Sequence, residues 1–559
     1  MMLSLEEARA AVTAPGRLFE MDEVEIHGVR TRVWKNALPT LRSLLEITRF
    51  HGDATFLVYE DDRLTFEEHF RRASTFARRL VERYGVRKGD RVAIAMRNFP
   101  EWSVAFFGAA AAGAVVVPLN AWWTAPELEY GLKDSGATLL VADQERVERL
   151  AGVLPGLGVP TIVVRGSGTP PEGVEAYESV LGEVGDILPD VAIEPDDDAT
   201  IFYTSGTTGR SKGALGTQRN ITTNPISLAY AMAAAGLRAG ADLEEVMATT
   251  RRVSLLSVPF FHATGCHSVL VASALAGSTI VLMRKWNPER ALELIERERV
   301  TMFGGVPTMA WQVLTSPAFD KYDTSSLTGV TYGGAPAPPK LVEKIKELLP
   351  ERVPGNGYGL TETSSVTTYN SGVNYLSHPD SVGPPVAVCD VKVVGPAGDE
   401  LPVGEVGELL IKGPNIIRGY WNRPDATAEA FAGGWFHSGD LARVDDEGFV
   451  YIVDRAKDML IRGGENVYCA EVEAALYEHP AVADAAVIGV PHDELGEEVG
   501  AVVCLRPGTS LEADELRAFL RSRIAAFKVP AHVWFRDGEL PRNPGGKILK
   551  TRLRTEILG

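Results

Sequence analysis

From about residue 50 to about residue 290, short apolar runs alternate with longer stretches of helical period. RVAIAMR predicts a strand, EWSVAFFGAAAAG a helix, AVVVPL a strand, APELEYGLKDSG a helix and ATLLVAD a strand. That alternation is the pattern of parallel sheets flanked by helices. SVLVASALAGSTIVLMRKWNPERALELIERERVTMFGGVP repeats it, with helix, strand, helix and strand in turn. The longest apolar run, Val104 to Leu119, is shorter than the roughly 20 residues a membrane helix needs. Small residues fill its first half and β-branched residues its second, which predicts a buried helix turning into a buried strand.

The pattern changes after about residue 380. VKVVGPAGDELPVGEVGELLIKG breaks short strands with Gly, Pro and Asp, the mark of an antiparallel sheet or small barrel. Beyond Asp458 lies a segment of about 100 residues with its own mixed pattern, large enough to fold separately. There AEVEAALYEH and ADELRAFLRSRI read as helices, and VADAAVIGVP and GAVVCLRPG as strands. The junction DRAKD holds neither Pro nor Gly, but RGGEN follows closely and gives two bodies room to reorient.

At 559 residues the chain is too long for one ordinary core, so a large body of fused layers plus at least one smaller domain is expected. A formal net charge of -18 excludes a general affinity for nucleic acid or anionic membrane. Any anionic ligand must be held by a local site. Cys266, Cys389, Cys469 and Cys504 are too scattered for a zinc knuckle or disulfide framework and read as buried small hydrophobes in a reducing compartment. Neither MMLSLEEARAAV nor TRLRTEILG carries a targeting signal, so a cytoplasmic location is expected.

Four clusters carry candidate chemistry. YTSGTTGRSKGA, Tyr203 to Ala214, sets glycines, hydroxyls and a lysine between a predicted strand, IFYT, and a helix beginning near Asn220. It is either a phosphate cradle or a hydrophilic turn. It is not Walker A, because Ser211 stands where that motif needs Gly before the lysine. In NGYGLTETS, Tyr358 lies between glycines with its ring face free to stack on a base, and Thr361 and Glu362 suit a phosphate and Mg²⁺. A capped turn would look the same. In the third cluster, Gly433 to Asn466, Asp440 and Arg455 could hold a ribose diol or simply pair with each other. The fourth, LPRNPGGKILK, presents Lys547 on a glycine loop. An exposed lysine near a C-terminus is, by itself, ordinary.

Taken in order, TSGTTGRSKG, YGLTET, WFHSGDLARVDDEGFVYIVDR and PRNPGGKILK resemble the adenylate-forming superfamily of acyl-CoA synthetases, firefly-type luciferases and peptide-synthetase adenylation domains. The resemblance runs from about residue 50 to the end of the chain. The fold it implies is α/β: residues 1–456 form a large AMP- and acyl-binding domain of stacked mixed and parallel sheets with helices plus a small β-barrel. Residues 457–559 form a small mobile α+β domain carrying the adenylation lysine.

The resemblance also implies site residues. Thr204, Ser205, Gly206, Thr207, Thr208, Gly209 and Lys212 would hold the β- and γ-phosphates of ATP, with Thr204 and Glu362 on or near Mg²⁺. Gly333, Gly334, Ala335 and Pro336 would wall adenine and acyl group, and Tyr358, followed by Gly359, would stack on the base. Thr361 would contact the α-phosphate, and Asp440 and Arg455 the ribose. Lys547 would bridge the attacking carboxylate and the α-phosphate, Lys457 would be the hinge, and Gly463 and Gly464 would border the pantetheine tunnel of coenzyme A. Cys469 departs from the pattern, since many relatives carry proline there; a packing change is expected.

The implied reaction forms an acyl-adenylate with loss of pyrophosphate, then a thioester with loss of AMP. Adenylation brings one anion onto another, which needs the cations Lys212, Lys547 and Mg²⁺. SVPFFHATGCHSVL lacks the aspartate with which peptide-synthetase domains hold an amino group, so an amino-acid substrate is not expected. His262 and His267 lack a third ligand for zinc. An acyl pocket is expected from His262, Thr264, Gly265, Met309, Trp311, Tyr332, Gly333 and Gly357. It is largely apolar with no cation for a second carboxylate, which points first to a medium- or long-chain fatty acid and second to an aryl or alicyclic acid. Transfer to a carrier protein stays open beside coenzyme A, as does homodimer against monomer.

Overall fold

The computed structural model describes residues 2–204, 211–242, 244–245, 251–333, 339–349, 352–463, 465–543 and 546–559. Two eight-stranded sheets dominate it. The first runs, strand by strand across the sheet, Gly419–Tyr420, Lys212–Thr217, Asp198–Thr204, Val115–Pro118, Arg91–Ala95, Leu139–Asp143, Thr161–Val164 and Val174–Ala176. The second runs Thr368–Ser371, Val353–Tyr358, Gly329–Gly333, Met302–Gly305, Val253–Leu256, Thr279–Leu282, Thr55–Tyr59 and Asp62–Thr65. Neighbours inside both sheets are parallel, and antiparallel pairs occur only toward the edges.

The sheets share one core. It takes Val92 and Ile94 from the first sheet, Leu57 and Leu282 from the second, and Phe76, Trp102, Phe106 and Phe107 from two helices, Phe66–Glu82 and Pro100–Ala111. Apolar on every side, Pro100–Ala111 is a helix that only a two-sided core can satisfy. The Val104 to Leu119 run is thus this buried helix followed by the buried strand Val115–Pro118. No helix among the described residues is long and apolar enough to cross a membrane.

A four-stranded antiparallel sheet follows, made of Asp390–Val394, Gly407–Lys412, Phe436–Val444 and Val450–Arg455. Past it, a five-stranded sheet is built on the Val482–His492 and Gly496–Leu505 hairpin. The Cys469–Tyr477 and Ala513–Arg521 helices pack on it around their own core of Val472, Leu476, Val487, Val499, Val503 and Leu516. All four cysteines are buried and free. Cys469 is the first residue of its helix, a position proline fills well; here its thiol donates to the Asp458 carbonyl at 2.9 Å.

Two expectations need revision. The loop after Thr204 does not lead from strand to helix: it joins two antiparallel strands, Asp198–Thr204 and Lys212–Thr217, and the helix Gln218–Arg238 follows. Thr217 caps that helix by accepting from the Asn220 amide, so the helix begins only after a full strand. The helix expected in SVLVASALAG begins further upstream as a π-helical segment, Thr264–Val271, and continues as Ala272–Ala276.

Close helix packing in the core depends on Gly108, where a Cβ would lie 2.9 Å from the Ala73 carbonyl oxygen and 2.9 Å from a Phe76 ring carbon. Gly108→Val should therefore destabilise the large domain by about 3 kcal/mol through overpacking. Urea unfolding measures it, and an unchanged midpoint would show that the helices separate without strain.

Candidate active site

Thr204 ends one strand and Lys212 begins the next, and the two are register partners. The Thr204 hydroxyl donates to the Lys212 carbonyl at 3.4 Å. Ser205, Gly206, Thr207, Thr208 and Gly209, between them, lie outside the described residues, as do Gly334, Ala335, Pro336 and Gly464. The Lys212 ammonium stands 5.0 Å from the ring centroid of Tyr420. Tyr420, which no motif above contains, sits on the strand Gly419–Tyr420 and pairs with Ala214. Its hydroxyl donates to Glu362 Oε1 at 2.8 Å.

Glu362 occupies a single helical turn, Thr361–Thr363, whose first residue is the predicted α-phosphate contact. Burial raises the Glu362 pKa, and the Tyr420 hydroxyl works in the opposite direction. The turn ends in two left-handed residues that are not glycine, Ser364 at φ 50° and Ser365 at φ 94°. Asn224 Nδ2 donates to the Ser364 carbonyl at 2.7 Å, and His267 Nδ1 lies 3.2 Å from the same oxygen. Ser268 and Ser365 share a hydroxyl hydrogen bond of 2.6 Å. Gly359 is required beneath this loop, because a Cβ there would fall 1.3 Å from the Ser365 carbonyl oxygen. Burial drives the pKa of both His262 and His267 down to about 4, so both rings are neutral.

The Tyr358 hydroxyl donates to Asp440 Oδ2 at 2.6 Å, and Arg455 Nε lies 2.8 Å from Asp440 Oδ1. Asp440 and Arg455 are partners on adjacent strands, so one register sets the pair. Burial opposes the Arg455 charge, but Asp440, Tyr358 and Glu362 more than offset it and its pKa is raised. Lys547 shares these surroundings. Its pKa is lowered by burial and by Arg455, with Asp458 and Asp440 pulling the other way. It stands on a tight turn in which its own amide donates to Asn543 Oδ1 at 2.9 Å and the Asn543 amide returns to its carbonyl at 2.8 Å. The adjoining Gly546 meets Val306 of the large domain so closely that a Cβ would lie 2.8 Å from Val306 Cγ2. Lys457 lies in the exposed turn after Arg455, and Gly463, at φ 58°, donates its amide to the Leu495 carbonyl at 2.8 Å.

The expected acyl residues divide. Gly333 and Gly357 are register partners on adjacent parallel strands, and Gly305, beside Met309 and Ser257, pairs with Tyr332. Gly265 is buried in the π-helical segment against Pro259, and Thr264 is exposed at its start. His262 is partly exposed with its ring 4.9 Å from that of Phe261. Tyr332 needs correction as a pocket side chain. Its ring belongs to the core under the sheet and its hydroxyl bonds that of Tyr375, because alternation along the strand turns it from the glycine face. Trp311 packs on the same core and meets Arg506 of the small domain, 5.8 Å from its ring.

Residues 46–421 match the family model described as AMP-binding enzyme, and residues 471–547 match the AMP-binding enzyme C-terminal domain. A feruloyl-CoA synthase from Amycolatopsis sp is 39% identical over 508 residues, covering 90% of this chain and 96% of that protein. A long-chain-fatty-acid–CoA ligase from Bacillus subtilis (strain 168) is 35% identical over 545 residues, covering 92% and 94%. The solved o-succinylbenzoate CoA synthetase from Bacillus subtilis, in complex with its acyl-adenylate intermediate, superposes with a TM-score of 0.77 at 31% identity, covering 92% of this chain and 98% of that one.

Three residues before Lys457 lies a buried carboxylate that makes stability depend on pH. Asp454, 7% exposed, accepts the Arg455 amide at 2.8 Å and the Ala470 amide, from the Cys469–Tyr477 helix, at 3.5 Å. Burial raises its pKa to about 6, with Lys550 opposing. Because the folded form holds this proton at higher pH than the unfolded chain does, stability falls as pH rises through about 4 to 6. Asp454→Asn should remove that fall, gaining about 1–3 kcal/mol on wild type between pH 4 and pH 7. Urea unfolding at both pH values checks it, and a wild-type-minus-variant difference that is constant with pH would exclude it.

Proposed function

The chain belongs to the AMP-binding enzymes, and we propose that it is an AMP-forming carboxylic acid–CoA ligase whose substrate is a planar aryl acid. The observation that carries the ligase reading is the seat of the Lys547 turn against the large domain, with Gly546 beside Val306, where Arg455 and Asp440 act electrostatically on the lysine. Cations from two bodies converge there, as attack by one anion on another demands. The presence of every charge named in the resemblance adds to it: Lys212, Glu362, Asp440, Arg455 and Lys547 all stand in this chain.

In the first half-reaction a carboxylate oxygen bonds to the α-phosphorus of ATP and the bond to the bridging oxygen breaks, releasing pyrophosphate. Lys547 offsets charge at the bond being made. Lys212, with the hydroxyls and amides of residues 204–209, offsets it on the departing group. Tyr358 supplies a ring beside the ribose-binding pair Asp440 and Arg455.

The donor set also suits Mg²⁺. Glu362 and Thr204 are oxygen donors, and the described residues hold no group of three or more His, Cys, Asp or Glu that would cage a metal by themselves. Mg²⁺ keeps water and substrate phosphates as its main ligands, so a sparse protein contribution fits. Bound there, it would neutralise charge on the phosphates.

In the second half-reaction the thiol of coenzyme A attacks the acyl carbonyl, the thiol proton is lost and AMP leaves. Lys547 and a thiol tunnel cannot both occupy the same approach, so we place a domain rotation at Lys457 that withdraws the lysine and brings the Gly463–Gly464 stretch in. Residues 1–456 and 457–559 are then the two moving bodies.

The aryl assignment replaces the fatty acid that the sequence alone put first. Gly333 and Gly357, register partners on neighbouring strands, carry no side chains on the face opposite Tyr332, and the Tyr369 ring packs beside Gly357, surroundings that suit a planar ring. The feruloyl-CoA synthase relative, at 39% identity, points the same way.

Pyrophosphate release should be highest with aryl-propenoic and benzoic acids, with kcat/KM at least about 10-fold above that of C8 to C16 fatty acids, a margin of about 1.4 kcal/mol. Running the panel with and without coenzyme A separates the two half-reactions, and a fatty acid at the head of the ranking would overturn the aryl reading. Lys547→Ala should lose adenylation by about 100-fold or more, yet still make thioester from supplied acyl-adenylate. Equal loss in both steps would remove Lys547 from the role given to it.

A further inference from the structure

Tyr420 lies between two charges of opposite sign that the reaction needs apart. We infer that Tyr420 is a positioning residue, a spacer that keeps Lys212 and Glu362 from collapsing into a direct ion pair and so holds both ready for a nucleotide triphosphate and its cation. The inference rests on the nucleotide-site reading above.

The geometry carries it in three parts. The Tyr420 ring presents its face to the Lys212 ammonium at 5.0 Å, a cation–π contact, while its hydroxyl donates to Glu362 Oε1 at 2.8 Å. One side chain thus engages both charges, and among the described residues Lys212 makes no ion pair. Donation to a carboxylate leaves the phenol oxygen richer in electron density, which favours a cation over the ring face.

The main chain under the ring is fixed from several sides. Tyr420 pairs with Ala214, its amide donates to Thr427 Oγ1 at 2.9 Å, and the next amide, Trp421, donates to the Gly213 carbonyl at 2.7 Å. The Trp421 indole donates to the Asp134 carbonyl at 3.0 Å. Three residues before Tyr420, the Ile417 amide donates to the Glu362 carbonyl at 3.0 Å, so the spacer and the carboxylate it touches are tied through backbone as well. Phe431 closes the edge of the ring, 6.0 Å between centroids.

Without the ring, a lysine on a flexible stem and a half-buried carboxylate would be free to meet, and a direct pair would take both charges from the ligand. Without the hydroxyl alone, the spacing would survive but the carboxylate would lose the bond that holds Oε1 in place.

Isothermal titration of ATP into the full chain, with stepped Mg²⁺ and no carboxylic acid, tests this without reference to the acid substrate. Tyr420→Phe keeps the ring; its affinity for ATP at saturating Mg²⁺ should stay within about 3-fold of wild type at pH 8. The Mg²⁺ needed for half the effect should rise about 10-fold. Tyr420→Ala removes the spacer; ATP affinity should fall about 100-fold with or without Mg²⁺, and Glu362→Gln in the same chain should restore part of the Mg²⁺-free affinity by leaving Lys212 no carboxylate to pair with. Affinities of both variants equal to wild type would overturn the inference. So would a loss in Tyr420→Ala that Glu362→Gln deepens in the absence of Mg²⁺, which would make the tyrosine structural packing. A wild-type chain that binds ATP with Mg²⁺ but activates no acid would sink the ligase reading and leave this measurement intact; one that binds no ATP would overturn both.

Discussion

The ion pair of Arg455 with Asp440 is the constraint on which the site depends. Both residues are partners at the end of the antiparallel sheet, and the chain leaves for the small domain directly after Arg455. Asp440 is 3% exposed with both oxygens engaged, one by Arg455 and one by Tyr358. Removing Arg455 would strand the buried Asp440 charge, a loss of about 3–5 kcal/mol. The pair therefore fixes three things together: the ring of Tyr358, the electrostatic surroundings of Lys547 and the point from which the small domain departs.

Much of this organisation is legible in the chain. Arg91–Ala95 and Leu139–Asp143 are short apolar strands that polarity and length identify without ambiguity, and Pro100–Ala111 declares its burial by having no polar face. Long-range pairing is what stays hidden. Nothing local in Lys212–Thr217 says that its neighbours are Asp198–Thr204 and Gly419–Tyr420, the last about 200 residues away. For the same reason Tyr420 escapes a motif reading, since its chemistry comes from two partners supplied by distant segments. Tyr332 misleads because the motif around it is contiguous, whereas strand alternation sends its side chain to the opposite face from its glycine neighbours.

The loop bearing Glu362 shows how the surroundings impose a conformation that its own residues resist. Ser364 and Ser365 adopt positive φ at a cost of about 1–3 kcal/mol each. Local rules would put glycine there, and the glycine is instead at Gly359, where the loop closes over it. Asn224 and His267 offset the strain by meeting the Ser364 carbonyl, and both come from helical segments rooted in the core. Asn415 secures the same loop from the other side, donating to the Thr363 and Val366 carbonyls at 3.2 and 3.1 Å. Strain held this firmly fixes the backbone beneath the Glu362 carboxylate, which is what a preorganised charge requires.

Lys547 is held by the opposite logic. Burial and the nearby Arg455 both disfavour its charge, and only Asp458 and Asp440 compensate. Two cations brought together in a half-buried site repel each other until an anion arrives between them. On the proposed reaction, a bound triphosphate supplies that anion, so the arrangement with Lys547 inserted gains most when ATP and acid are both present. Departure of pyrophosphate removes most of the negative charge and returns the repulsion. On that reading the repulsion between Lys547 and Arg455 weakens the domain contact once adenylation is over, leaving Gly546 against Val306, Arg506 over Trp311 and the Asp454–Ala470 hydrogen bond to hold it.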